Sequence, residues 1–174
     1  AVACSAALTQ DVVLWARSPA QAREMDIRRQ NALYLPGVIF PQRLRVTDEL
    51  AAALAHPASD SRGGLCVVAT PMSALRQTLE LLPPGMPALW LCKGFEADTG
   101  ALGHEIAREV RPGAPAGILS GPSFAIEVAR GQPTALVAAS DDEDLLNRTV
   151  AAFHGDALRV YRSHDPIGVE VGGA

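Results

Sequence analysis

Apolar residues fall into six short, nearly continuous runs: "DVVLWA" (11–16), "GLCVVAT" (64–70), "PALWLCK" (87–93), "AGILS" (116–120), "TALVAAS" (134–140) and "LRVYRS" (158–163). Runs of this length without polar alternation predict strands covered on both faces. Between them a helical period takes over. Leu75, Leu79 and Leu82 follow i, i+4, i+7 within 73–82; Leu102, Ile106 and Val110 repeat every four within 98–110. Leu146, Val150 and Phe153 line one face of 141–153, where "SDDE" (140–143) reads as a capping box and Gly155 as a stop. A shorter helix is expected over 123–130, ended by Gly131, and the two prolines of "LYLPGVIFPQRL" (33–44) predict a surface loop.

Strands alternating with helices predict an α/β fold with a largely parallel sheet and right-handed crossovers. Ligands of such folds sit at the carboxyl ends of the strands. The residues there are Arg17-Ser18-Pro19, Thr70-Pro71, Lys93-Gly94, Gly121-Pro122-Ser123, Ser140 and Arg162-Ser163. They are expected to lie along one edge, setting small, cationic and hydroxyl groups side by side.

Composition narrows the partners. The chain has 174 residues, 48% hydrophobic and 20% charged, which suits a packed domain and not a disordered segment. A net charge of −4 without a basic stripe argues against nucleic acid. No apolar run reaches the ~18 residues of a membrane span, and no signal-peptide pattern opens the text. Cys4, Cys66 and Cys92 are an odd number without paired spacing, which points to a reducing, cytoplasmic setting. Cys92 beside Lys93 reads either as a thiol activated by the neighbouring ammonium or as a small buried hydrophobe. The four histidines lack metal-ligand spacing, so no metal site is expected.

Lys93 is the only lysine against fourteen arginines, and it stands between an apolar strand and a glycine. It reads as a cation for an anionic ligand or a developing alkoxide, with a solvated strand-end lysine as the alternative. "SGPSF" places Pro122 at a first helical position, where a helix N-terminus could take an anion; a plain turn uses the same residues. Arg17 follows a strand that, in a dinucleotide fold, ends near the adenosine ribose, where arginine accommodates a 2′-phosphate; an exposed surface arginine is the alternative. "DDED" (141–144) is a solvated helix start. No G-x-G-x-x-G occurs near the N-terminus, which opens "AVACSAALTQ".

"DVVLWARSP" (11–19), "NALYLPGV" (31–38), "LCKGFEADTG" (91–100), "LSGPSFAIEVARGQPTAL" (119–136) and "LRVYRSHDPIGVEVGGA" (158–174) resemble successive blocks of NAD(P)-dependent glycerol-3-phosphate dehydrogenase. The resemblance implies a Rossmann-type, doubly wound domain that binds NAD or NADP, spanning 1–163, with 164–174 starting the link to a helical substrate domain. It implies interconversion of sn-glycerol 3-phosphate and dihydroxyacetone phosphate, in glycerophospholipid synthesis. Lys93 matches the lysine that touches both cofactor and substrate and is the catalytic candidate. Gly121 and Ser123 match substrate contacts, Ala125 a cofactor contact, and Arg17 a contact near the adenosine end. No nucleic-acid or membrane partner is implied, and a homodimer is left open.

Two departures from the family pattern carry expectations. The glycine-rich turn is missing near residues 2–3, either deleted or dropped from the text. The chain stops at Ala174, before the family's general-base lysine and helical domain, so this stretch alone is expected to bind dinucleotide weakly and turn over little. Two rival readings are a non-catalytic nucleotide-binding module and a related Rossmann dehydrogenase acting on another hydroxy acid.

Overall fold

Val12 and Val13 start a four-residue strand, β1 (Val12–Trp15), that pairs in parallel with β2 (Leu44–Thr47), Val12 opposite Leu44 and Trp15 opposite Thr47. The structure, a computed structural model, describes residues 1–58 and 64–173. Ala174, the last residue of the final block quoted above, lies outside them. The described residues form two compact units.

The first unit takes the residues up to 58 with Ser123–Thr134 and Ala152–Arg159. Besides β1 and β2 it contains helices α1 (Val2–Ala6), α2 (Pro19–Arg28), α3 (Leu50–Ala58) and, later in the chain, α6 (Ala125–Ala129). Its core joins Cys4, Ala7, Met25, Leu35, Val38, Phe40 and Leu44. Ser18 caps α2, its Oγ accepting the Gln21 N–H at 3.4 Å, and Pro19 supplies the preset φ of a first helical residue. Arg29 ends that helix in the left-handed region (φ 52°). Its guanidinium donates to the carbonyls of Pro41 and Leu44 at 2.8 and 2.7 Å, pinning the expected loop before β2.

The second unit takes 64–122, Ala135–Ala151 and 160–173. In chain order its elements are β3 (Cys66–Val68), a 3₁₀ turn (Met72–Ala74), α4 (Leu75–Glu80), β4 (Ala88–Trp90), α5 (Gly103–Val110), β5 (Ala116–Ser120), β6 (Thr134–Ala139), α7 (Glu143–Phe153), β7 (Leu158–Ser163) and α8 (Pro166–Gly173). Thr134 of β6, Ala152 and Phe153 of α7, and Leu158 and Arg159 of β7 belong to the first unit. The sheet order is β3-β4-β5-β6-β7. All six expected strands are present, and Leu75, Leu79, Leu102, Ile106, Leu146 and Phe153 are buried as their spacing requires.

The expected α/β fold with a largely parallel sheet is present, with two further features. The strands fall into a two-stranded and a five-stranded sheet, and residues 1–10 supply α1 and a turn. In addition, β3, β4 and β5 are parallel, but β6 runs antiparallel to β5, with Ile118 opposite Ala139 and Ser120 opposite Val137. The connection 121–133 spends its helix, α6, in the first unit, and an antiparallel return needs no crossover helix. Gly117 permits the close β5–β6 approach: a Cβ there would stand 2.5 Å from the Ala139 carbonyl oxygen.

Two helix starts are corrected. The cap of α7 is Asp142, whose Oδ1 accepts the Leu145 N–H at 2.7 Å. The Ser140 hydroxyl donates to the Ala116 carbonyl at 2.7 Å and accepts the Asp142 N–H at 3.0 Å, one residue short of a capping box, and Glu143 is held by Arg162 at 2.7 Å. Asp142→Ala is therefore expected to cost about 0.5–2 kcal/mol in thermal or urea denaturation, with Glu143→Gln nearly silent. Helix α5 begins at Gly103 instead of near 98, because Gly100 (φ 71°) turns the chain back and the Glu96 N–H meets the Ala101 carbonyl at 2.9 Å.

Candidate functional site

Strand β4 is fully buried, and its extension keeps register as the Leu91 N–H donates to Val68 O at 3.0 Å. Lys93 is the first exposed residue beyond it, and Gly94 (φ 91°) bends the chain away at once, in a conformation L side chains rarely adopt. Nothing lies within 4 Å of where a Gly94 Cβ would be, so the space beside the lysine is open. Lys93 Nζ donates to the carbonyl of Gly121 at 3.2 Å, just past the end of β5. An ammonium has three donors, and among the described residues this neutral carbonyl is its partner, so capacity for an anion is left over. Gly121 has to be glycine: a Cβ would stand 2.7 Å from the Ala135 carbonyl oxygen on β6.

Lys93 also borders a narrow cleft, lined by Met72, Trp90, Cys92, Gly94, Gly103, Ile118 and Glu170, too tight to hold a water. Cys92 resolves as the inert alternative. Burial pushes its thiol up to about 11, and Cys66 likewise, so neither is a thiolate at neutral pH despite the adjacent lysine.

A charged brace holds the segment that follows the lysine. Arg76 on α4 donates to both oxygens of Glu96, at 2.9 and 2.8 Å, and pairs with Glu109 on α5 at 2.9 Å; the Thr99 hydroxyl donates to Glu96 at 2.6 Å. The bonds from Arg76 first, then from Thr99, lower the Glu96 pKa to about 2 from an ordinary 4.5. A depressed folded-state pKa contributes stability that is fully present above about 4.5 and is lost as pH falls toward about 2. Arg76→Met should flatten the acid-induced loss of the second unit in that window, read by circular dichroism across pH.

The expected row of strand-end groups is split. Lys93 and Gly121 do meet, but because β6 is reversed, Ser140 reaches the opposite end of β5, at Ala116, with Ser163 bonded to it through the Ser140 N–H at 3.2 Å. Arg162 is there too, donating to Glu143 and Asn147, so these three groups brace the fold away from Lys93. Pro122 does not open a helix. Helix α6 starts at Ala125 after Phe124, has five residues and carries Glu127 in its first turn, a poor place for an anion. The remaining candidates lie in the first unit: Arg17 exposed after β1, Ser123 half-buried, and Ala125 exposed at the start of α6.

The sequence reading passed over Trp90, His104 and Glu170, although a lone acid inside the apolar "PIGVEVGG" was a usable signal. Among the described residues, no group of three or more His, Cys, Asp or Glu could hold a metal ion. No helix of the described residues is long and apolar enough to cross a membrane.

Comparison with known proteins adds to this geometry. Residues 1–146 match the family described as NAD-dependent glycerol-3-phosphate dehydrogenase N-terminus. Curated relatives named glycerol-3-phosphate dehydrogenase [NAD(P)+] include one from Methylibium petroleiphilum, 62% identical over 165 residues, covering 94% of this chain and 49% of its own length. Another, from Leptothrix cholodnii, is 57% identical over 181 residues, covering 100% of this chain and 54% of its own length. A crystal structure of glycerol-3-phosphate dehydrogenase from Coxiella burnetii superposes with a TM-score of 0.87 at 30% identity, covering 99% of this chain and 52% of that one. The chain thus spans about half the length of the curated relatives it matches.

Proposed function

This chain belongs to the NAD-dependent glycerol-3-phosphate dehydrogenase N-terminal family, and on that premise we propose that it supplies nucleotide and substrate contacts to an enzyme interconverting sn-glycerol 3-phosphate and dihydroxyacetone phosphate. The observation that carries the reading is the placement of Lys93: a sole ammonium at the end of a buried strand, bonded to the Gly121 carbonyl and beside open space at Gly94.

In this reading Lys93 binds the substrate with the carbonyl of Gly121 and the hydroxyl of Ser123, and holds positive charge near the C2 oxygen. Charge grows on that oxygen as the hydroxyl proton departs, so a fixed cation lowers the barrier. A nicotinamide held beside this lysine would supply the hydride acceptor and donor. Arg17 and Ala125 are assigned to the nucleotide, Arg17 near the adenosine, where its guanidinium suits a 2′-phosphate and so admits NADP as well as NAD. The lysine and the open glycine fit the substrate end of such a ligand. Residues 1–10 form a helix and a turn and offer no glycine cradle for its pyrophosphate. We assign residues 1–163 to the nucleotide domain and 164–174 to the start of a link to a helical substrate domain, in a cytoplasmic enzyme of glycerophospholipid synthesis for which a homodimer is left open.

Calorimetric titration of the chain with NADPH, NADH and glycerol 3-phosphate tests this. Saturable binding of a nucleotide, with the glycerol 3-phosphate signal lost in Lys93→Ala, is expected. Heats that never saturate for either ligand class would point to a module without this role, and binding of a different hydroxy acid in place of glycerol 3-phosphate would reassign the substrate.

A further inference from the structure

Glu170 is the one buried carboxylate among the described residues, 4% exposed, on the otherwise apolar α8. A carboxylate this deep is costly unless its oxygens are fully met. One oxygen accepts the Trp90 indole N–H and the backbone N–H of His104, each at 3.0 Å, and the other meets His104 Nδ1 at 2.5 Å. His104 is the second residue of α5, so the charge sits where unpaired N–H groups and the helix dipole favour an anion. Room has been made for it: a Cβ on Gly103 would stand 2.5 Å from Trp90 Nε1 and 2.8 Å from Glu170 Oε1. Residues of β4, α5 and α8 thus agree on a single arrangement.

Replacing a buried charge by a well-packed apolar side chain often leaves stability unchanged or higher, so stability alone does not explain this one. Directional bonds fix what apolar packing leaves free, namely the rotation of α8 and its slide along β5 and α5. The cleft that Lys93 borders is lined by Trp90, Gly103 and Glu170 themselves, and Lys93 follows Trp90 by three residues. We propose that Glu170 is a positioning residue: through Trp90 and His104 it fixes α8 as the inner wall of the Lys93 cleft and holds the end of β4 so that Lys93 faces Gly121. The proposal rests on reading the open space beside Lys93 and Gly94 as the substrate site.

The test uses the 174-residue chain reductively methylated with carbon-13; as the only lysine, Lys93 gives one side-chain dimethylamine resonance, told apart from that of the N-terminal amine by its loss in Lys93→Arg. In Glu170→Ala, amides of α8 should exchange at least roughly tenfold faster, the factor that about 1.4 kcal/mol represents. Amides of α7 should keep their protection, and the Lys93 resonance should move. Glu170→Gln, which retains the shape and an acceptor for Trp90 and the His104 N–H, should restore most of both. The Trp15 indole N–H, bonded to the Asp48 carbonyl at 3.0 Å, serves as an unmoved control while the Trp90 indole resonance shifts. An α8 as protected as in the parent overturns the proposal. So does an opened α8 with an unmoved Lys93 resonance, because Glu170 would then be a structural tie only. If Glu170→Ala also unprotects α7, the milder Trp90→Phe, which removes one donor to the carboxylate, decides: a shifted Lys93 resonance with α7 intact supports positioning, and a parent-like Lys93 resonance overturns it. Failure of the substrate reading shows separately, as glycerol 3-phosphate binding that is indifferent to Lys93→Ala.

Discussion

Lys93→Ala, made in a dehydrogenase subunit that contains these residues, is expected to lower kcat/KM for glycerol 3-phosphate by at least about 10²-fold, the usual consequence of removing one fixed charge or donor aimed at a developing oxyanion. The fold should hardly notice. The side chain is exposed and its bond is to one carbonyl, so a stability change within about 0.5 kcal/mol is expected. Lys93→Arg should not rescue, because a planar guanidinium cannot place a compact charge where the ammonium stood. Steady-state kinetics alongside thermal melts would check both halves. A variant that loses activity and stability together would indicate a folding lysine.

The largest stability effect belongs to Trp90→Ala. The indole is 1% exposed, in the middle strand of the parallel set β3-β4-β5, and its removal leaves a cavity costing about 3–5 kcal/mol. The mutation also strips one donor from the buried Glu170. Trp90→Phe separates the two contributions. It refills most of the space but leaves the carboxylate one bond short, an expected loss of about 1–3 kcal/mol. Urea denaturation followed by circular dichroism would measure both variants. A phenylalanine variant as stable as the parent would mean that the indole N–H contributes nothing to holding Glu170.

The strands were legible because each is a short, unbroken apolar run, and burial on both faces writes itself into composition. "AGILS" and "LRVYRS" correspond to β5 and β7 residue for residue. Missed elements carry weaker signatures. Strand β2 is four residues with an arginine inside, and α2 buries only Ala22 and Met25. Its Ser18-Pro19 start, a cap followed by a preset φ, was the readable cue.

Strand direction was the harder quantity. Hydrophobic period says that β6 is a strand but not which way it runs, and that direction moved Ser140, Arg162 and Ser163 to the far end of the sheet. The capping box at 140–143 failed for a related reason, since tertiary partners at Ala116 and Arg162 had taken both of its side chains. The place of Lys93 at the end of a buried strand was legible because the lysine stands between an apolar run and a glycine. Glu170 was not, because its meaning depends on Trp90, eighty positions earlier.

The most direct test of the account is the carbon-13 dimethylamine resonance of Lys93, followed while glycerol 3-phosphate is added with and without NADPH. A saturable shift that glycerol and lactate do not reproduce is the predicted result. A resonance that stays in place while nucleotide and substrate bind elsewhere on the chain would contradict the assignment of this lysine to the site.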